Sequence, residues 1–146
     1  MINQFRGVNA FLSNMYPCEL TYNGIKFNNL EALFQSFKAI DKQHEYGGLV
    51  GKVAKAKGRK EKLPANWNEV RVELMYGCLY LKFSQNPKLL ERLLATGNEE
   101  LVEGNTWHDT FWGVCTCREC KGRGDNILGK LLMKVREELR HDHIRK

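Results

Sequence analysis

The sequence predicts an α+β fold, in which residues 1–146 form one mainly helical domain with about five helices and a small antiparallel sheet. Leu, Ile, Val and Phe make up 38 of the 146 residues, which is enough for the core of one ordinary domain. Five segments carry apolar residues at helical spacing, and one short segment alternates apolar and polar residues. No linker or internal repeat divides these segments.

The sheet is predicted first along the chain, over residues 18–27. Two short alternating runs there flank Asn23-Gly24. Asn-Gly between alternating runs is the strongest local hairpin signal, because both residues tolerate a positive φ.

A helix is predicted next, from about Asn29 to Ile40, with Asn28 as its N-cap. Its apolar residues recur at positions i, i+3, i+4 and i+7. These residues are Leu30, Leu33, Phe34 and Phe37.

Four further helices and a less regular segment complete the prediction. Pro87 starts one helix and Gly97 ends it, as expected for residues of these types at helix boundaries. The four helices span 47–58, Asn68 to Ser84, Asn86-Pro87 to Gly97, and Asn126 to Arg140, and residues 100–115 are expected to be irregular with a short strand or two.

Composition excludes several classes of protein. No stretch approaches the roughly 18 apolar residues of a membrane span, and the first residues lack the basic and apolar regions of a signal peptide. The odd count of five cysteines argues against a disulfide scaffold, so we expect a reducing cytoplasm. The net charge is +6, and residues 41–62 and 118–146 are both basic, which suits an anionic ligand without requiring one.

One polar stripe runs along the first predicted helix, formed by Glu31, Gln35 and Lys38. A carboxylate beside a cation on a rigid helix suits acid/base or electrostatic catalysis. With Asn28 as N-cap, however, Glu31 would occupy the third helical position, where it could close a capping box. Taken alone, the stripe favours a capping or solvent-facing role for Glu31.

Residues 105–113 hold three aromatic side chains, an Asp and a His within nine positions. Aromatic rings in a loop suit the stacking of a planar base, and Asp109 is a second candidate carboxylate. The structural alternative is a buried aromatic plug in which Asp109 accepts hydrogen bonds from nearby backbone amides.

Residues 122–126 lead directly into the last predicted helix. Glycines there, with the unpaired amides of a helix N-terminus, are expected to form a phosphate cradle. An ordinary glycine turn with a capping Asp or Asn is the alternative.

The spacing Cys115-x-Cys117-x-x-Cys120 offers three thiolates, with His108 as a distant fourth ligand. A structural zinc site needs four ligands, usually in two separated pairs. Ligand counting therefore favours a cysteine-containing surface loop, and we assign no metal ligands, although a small metal site at Cys115, Cys117 and Cys120 stays open as the alternative.

The order and spacing of short motifs along nearly the whole chain resemble the YbiA-like N-glycosidase family, also called NADAR domains. Each motif alone is moderately specific, and their joint order is highly specific. The motifs are Phe11-Leu12-Ser13-Asn14, Asn23-Gly24, Glu31-x-x-x-Gln35-x-x-Lys38, Trp67-x-x-x-Arg71-x-x-x-Met75, Lys82-Phe83, Leu94-Ala95-Thr96-Gly97, Leu101-Val102-Glu103, Asp109-x-x-Trp112-Gly113, and Asn126-x-Leu128-Gly129-x-Leu131-Leu132-Met133-x-x-Arg136.

The resemblance implies a YbiA-like fold and hydrolysis of an N-glycosidic bond between ribose and a base or amine, with no cofactor. It implies two substrate sets, which are phosphoribosylated pyrimidine intermediates of riboflavin synthesis and ADP-ribose attached to a nucleobase such as guanine, free or in nucleic acid. Glu31, Asp109 and, in reserve, Glu103 are the implied catalytic carboxylates. The implied substrate-binding residues are Ser13, Asn14, Gln35, Lys38, Trp67, Arg71, Trp112, Gly113, Arg123 and Asn126.

Two other functions remain open at this point. The residues implied by the resemblance could form a pocket that binds ADP-ribose or a nucleotide without catalysis. The two basic segments could instead bind nucleic acid, with an affinity that falls steeply with salt.

Overall fold

The computed structural model describes the backbone of residues 1–145 and the side chains of residues 1–142. Over residues 1–145 the chain is mainly helical, with five α-helices, two 3-10 helices and two small two-stranded sheets. The predicted fold class and all five predicted helices are confirmed. The 3-10 helices, at Gly7–Leu12 and Ile40–Tyr46, were not predicted from the sequence.

The chain divides into two compact units. The middle unit is Asn14–Pro87, and the terminal unit combines Met1–Ser13 with the chain from Lys88 onward. The single-domain interpretation of residues 1–146 stays a prediction.

The middle unit begins with the predicted hairpin. Strands β1 (Leu20–Tyr22) and β2 (Ile25–Phe27) pair antiparallel, and Asn23 and Gly24 between them have φ values of 52° and 75°. The side-chain amide of Gln85 brackets Thr21, accepting from its N–H at 2.8 Å and donating to its carbonyl at 3.0 Å. The outer edge of β1 thus has a hydrogen-bonding partner.

The first helix, α1 (Leu30–Ser36), begins one residue later than predicted. Its N-cap is Asn29, whose side-chain oxygen accepts a hydrogen bond from the Ala32 amide at 2.8 Å. The prediction of Asn28 as N-cap is wrong, because the Asn28 carbonyl instead accepts from the Cys18 amide. All seven residues of α1 are buried.

Two more helices complete the middle unit, α2 (Gly51–Arg59) and α3 (Trp67–Gln85). Helix α2 packs against α1 at Gly58, where a Cβ would overlap the side-chain oxygen of Gln35. The glycine therefore allows the two helices to approach closely.

The terminal unit contains α4 (Pro87–Ala95) from its second residue onward, α5 (Ile127–Arg145) and a parallel pair, β3 (Gly104–Asn105) with β4 (Val114–Cys115). The predicted short strands within residues 100–115 are thereby confirmed. In the part of the chain that the structure describes, we find no helix with the length and apolar character that a membrane crossing requires.

Two helical glycines are expected to respond oppositely to alanine. A Cβ at Gly129 would overlap the Leu101 carbonyl and the Asn126 amide, whereas a Cβ at Gly77 would have no described heavy atom within 4 Å apart from its chain neighbours and the backbone of its own helix. Gly129→Ala should lower the free energy of unfolding by about 1 to 3 kcal/mol through overpacking. Gly77→Ala should raise it by about 0.5 to 1 kcal/mol through helix propensity. Urea unfolding measures both, and equal effects would contradict the close packing at Gly129.

Candidate functional site

Glu31 is held inside the middle unit by α1. Its side chain is 8% exposed, and its carboxylate accepts a hydrogen bond from Gln35 Nε2 at 2.7 Å. Because Asn29 is the N-cap, Glu31 is the second helical residue. The capping-box and solvent-facing interpretations of Glu31 are therefore both wrong.

The charges of three cations act on this buried carboxylate. Burial raises the pKa of Glu31, while the hydrogen bond from Gln35 and the charges of Lys55, Lys38 and Arg59 act in the opposite direction. Lys55 and Arg59 lie on α2, which the glycine contact at Gly58 brings against α1. Sequence reasoning missed these two residues, although the basic character of residues 41–62 was a signal for them.

Lys38 is the only one of the three cations that was predicted, and its ammonium group lies over an aromatic ring. Its Nζ is 5.6 Å from the centroid of the Trp67 ring, and the Phe34 ring is 5.4 Å from that same centroid. Burial lowers the pKa of Lys38, and the charge of Glu31 opposes this shift. Trp67 is buried, and it supports both Phe34 and Lys38.

Two side-chain oxygens of this region are buried without a hydrogen-bond donor among the residues described, Gln35 Oε1 and Asn14 Oδ1. Asn14 is tied to α1 because its carbonyl accepts from the Glu31 amide at 3.0 Å. Its side-chain nitrogen lies 3.6 Å from the sulfur of Met75. Buried polar atoms are nearly always paired, so these two acceptors suit a ligand that carries hydroxyl groups.

The structure therefore brings together Glu31, Gln35, Lys38 and Trp67 and adds Lys55 and Arg59. We call these six residues the Glu31 cluster. Asn14 adjoins it through the backbone, and Arg71 lies half-buried on α3, one turn after Trp67.

In the terminal unit, Asp109 is part of a hydrogen-bonded loop. Its Oδ1 accepts from the amides of Phe111 at 3.2 Å and Trp112 at 2.9 Å. The Asn105 side chain in turn accepts from the amides of Trp107 and Asp109. Asp109 thus accepts hydrogen bonds from nearby backbone amides, as expected from the structural alternative to a catalytic role.

The prediction that unpaired amides before α5 form a phosphate cradle is wrong, because these amides donate hydrogen bonds within the protein. The N–H groups of residues 125–128 donate to the carbonyls of residues 110–113 at 2.8 to 3.3 Å. Arg123 turns back on its own loop, donating to the carbonyls of Cys120 and Glu119. These amides are therefore not open to an anion.

The other predicted residues of the terminal unit have contacts within it. Asn126 is buried and bonds the Leu101 carbonyl and the Glu103 amide, while Gly113 packs so closely on the Glu103 carbonyl that a Cβ would overlap it. Ser13 follows the first 3-10 helix and donates its amide to the Ala10 carbonyl.

Comparison with known proteins identifies relatives over nearly the whole chain. The family model described as NADAR domain matches residues 4–140. The riboflavin biosynthesis protein VVA0006 of Vibrio vulnificus is 36% identical over 140 residues, which cover 89% of this chain and 35% of that protein. N-glycosidase YbiA of Escherichia coli is 33% identical over 132 residues, which cover 87% of this chain and 79% of that protein.

The fold also matches a solved structure. The NMR structure of Escherichia coli YbiA superposes with a TM-score of 0.81 at 29% sequence identity, covering all of this chain and 90% of that one. The chain thus spans most of YbiA but only about a third of the Vibrio protein. On the family match, the chain belongs to the NADAR domain family.

Proposed function

We propose that this protein is a hydrolase that cleaves the N-glycosidic bond between a phosphorylated ribose and a nucleobase or amine. The observation that carries the proposal is the buried carboxylate of Glu31, which accepts a hydrogen bond from Gln35 and is subject to the charges of three cations. The name of the Escherichia coli relative, N-glycosidase, supports the same class of reaction.

Glu31 would act on the charge that develops during cleavage. As the bond from C1′ to the leaving nitrogen breaks, the ribose acquires oxocarbenium character, which a nearby carboxylate stabilises. Water then adds to C1′, and its proton passes to a base while the leaving nitrogen gains a proton. The raised pKa of Glu31 makes its carboxylate a better proton acceptor than an exposed one.

The cations of the Glu31 cluster suit the phosphate of the substrate. Lys38, Lys55 and Arg59 supply positive charge beside a carboxylate that by itself would repel an anion. The buried oxygens of Gln35 and Asn14 would accept hydrogen bonds from ribose hydroxyls. The resemblance also assigns substrate binding to Trp67 and Arg71, which we retain.

Seven other assignments come from the family resemblance, and they stay predictions. They concern Ser13, Glu103, Asp109, Trp112, Gly113, Arg123 and Asn126.

Two substrate sets share the chemistry that the Glu31 cluster would recognise. Phosphoribosylaminopyrimidine intermediates are favoured by the name of the Vibrio relative, a riboflavin biosynthesis protein. ADP-ribosylated guanine, free or in nucleic acid, is the second set, and the net charge of +6 suits its two phosphates or a polymer.

A turnover panel tests the proposal. Purified protein is incubated with ADP-ribosylated guanine DNA, phosphoribosylaminopyrimidine intermediates, NAD or free ADP-ribose, and the products are identified by mass spectrometry. Release of a base or amine from one of the first two substrates is the expected result. Saturable binding of ADP-ribose without turnover of any substrate would overturn the proposal in favour of a binding module.

A further inference from the structure

Four potential metal ligands from separate parts of the terminal unit converge at one point. One ligand atom from each of His108, Cys115, Cys117 and Cys120 lies within 4.8 Å of all the others. His108 Nδ1 is 3.5 Å from the Sγ atoms of both Cys117 and Cys120. We call this group the thiol–imidazole cluster.

These separations fit ligands that share one tetrahedral ion. With Zn–S bonds of about 2.3 Å and Zn–N bonds of about 2.0 to 2.1 Å, neighbouring ligands lie roughly 3.5 to 3.8 Å apart. Both measured distances from the His108 nitrogen fall at the lower end of that range. The group supplies four protein ligands, which is the complete set of a structural zinc site.

The backbone is shaped to bring the ligands together. His108 and Lys121 have φ values of 70° and 51°, in a left-handed region that residues other than glycine seldom occupy. The Cys120 amide points at the Cys117 sulfur at 3.4 Å, and the Lys121 amide donates to the Cys117 carbonyl at 2.9 Å. This tight turn directs both sulfurs of the Cys-x-x-Cys segment toward the same point.

Two backbone hydrogen bonds connect the end of that turn to β4. The Cys115 amide donates to the Arg123 carbonyl at 2.9 Å, and the Gly122 amide donates to the Cys115 carbonyl at 2.8 Å. Cys115 and Cys120 are both buried. Two of the three sulfurs are therefore held in the interior beside the turn.

The chemistry of the ligands favours zinc. Thiolates with an imidazole in a tetrahedral arrangement select zinc over magnesium, calcium or manganese, which prefer oxygen ligands. Zn²⁺ with three thiolates carries a net charge of −1, and the exposed side chains of Arg118, Lys121 and Arg123 in the same segment can compensate it.

We propose that His108, Cys115, Cys117 and Cys120 bind one Zn²⁺ ion in a closed tetrahedral site. With four protein ligands the ion has no open position, so its role is structural. It joins the loop that carries Asp109 to β4 and to the 117–123 turn. The ion thereby fixes the conformation of a loop that the backbone hydrogen bonds of Asn105 and Asp109 only partly hold.

Metal analysis of the full chain, purified without chelator, is the first test. We expect one zinc per chain in the wild type and in Cys18→Ser, a matched control that removes a thiol outside the cluster. Cys117→Ser and His108→Asn should lose most of the zinc. Asn is chosen because it tolerates the positive φ at position 108. Zinc retained in both cluster variants would overturn the proposal.

Two further measurements separate loss of a ligand from misfolding. His108→Cys should retain zinc, because it replaces one ligand with another. Cobalt(II) exchanged into the wild type should give the intense visible absorption of a tetrahedral ion with thiolate charge-transfer bands. Chelation of the wild type should lower Tm by roughly 5 °C or more, and should leave Tm of Cys117→Ser unchanged.

Three outcomes would overturn the assignment. One is a wild type that binds neither zinc nor cobalt after reduction and reconstitution. Another is the presence of iron in place of zinc. The third is a disulfide within the cluster in protein prepared under reducing conditions.

Discussion

Replacing Glu31 with Gln is expected to reduce kcat by about 100-fold to 10,000-fold, the usual contribution of a positioned acid or base. The amide is nearly isosteric and can still accept the hydrogen bond from Gln35 Nε2, but it carries no charge to stabilise the ribose cation. Single-turnover kinetics with the substrate identified in the panel would measure the loss.

The same substitution should leave Tm unchanged or raise it. Because burial raises the folded-state pKa of Glu31 above 4.5, folding favours the protonated form. The contribution of Glu31 to the free energy of unfolding is therefore fully present below pH 4.5, and it declines as the pH rises through the folded-state pKa. Above the folded-state pKa, the ionised carboxylate lowers the free energy of unfolding and Gln removes this cost, so a Glu31→Gln protein that unfolds at room temperature would contradict this account.

Two comparisons make the Glu31 test specific. Glu45→Gln removes one exposed carboxylate that pairs with Lys57, and it should leave kcat unchanged. In the wild type, kcat/KM should fall on the acid side through a midpoint above pH 4.5, because the proton acceptor becomes protonated there. Equal losses in Glu31→Gln and Glu45→Gln would mean that general charge, and not the buried site, supports turnover.

Asn105→Ala is expected to lower the free energy of unfolding by about 2 to 4 kcal/mol. The Asn105 side chain is 3% exposed and bonds four backbone groups. It accepts from the amides of Trp107 and Asp109 and donates to the carbonyls of Asp109 and Val114. Alanine would leave these groups without their partner inside the terminal unit. Denaturant unfolding followed by circular dichroism measures the change.

Two further variants serve as comparisons for the loss of stability expected in Asn105→Ala. Asn68→Ala, at an exposed position on α3, should change the free energy of unfolding by less than about 0.5 kcal/mol. Asn105→Asp keeps the accepting oxygen but turns a buried carboxylate oxygen toward the carbonyls of Asp109 and Val114, so its cost should be at least as large as that of Asn105→Ala. A cost below about 0.5 kcal/mol for Asn105→Ala would show that water replaces the lost bonds.

The helices and the hairpin of this chain could be predicted from local sequence patterns. Apolar spacing located the five helices, because a helix must bury one stripe of its side chains. Asn23-Gly24 identified the hairpin, because the turn requires a positive φ at both residues. The joint order of short motifs identified the family, which the match over residues 4–140 confirms.

The surroundings of each side chain could not be predicted in this way, because they depend on how distant segments pack together. From the sequence, Glu31 is expected to be a helix cap or a surface residue. In the fold it is a buried carboxylate on α1, and the charges of Lys55 and Arg59 on α2 act on it. From the sequence, the amides before α5 are expected to be free to bind an anion. In the fold they donate hydrogen bonds to the carbonyls of residues 110–113.

The thiol–imidazole cluster illustrates the same limit. His108 is seven residues from Cys115 in the sequence, and only the left-handed backbone at His108 and the 117–123 turn bring the four ligand atoms together. Local periodicity depends on neighbours within one or two turns, so a sequence reveals it directly. Burial, charge pairing and ligand geometry depend on contacts between distant segments, which the packed chain alone defines.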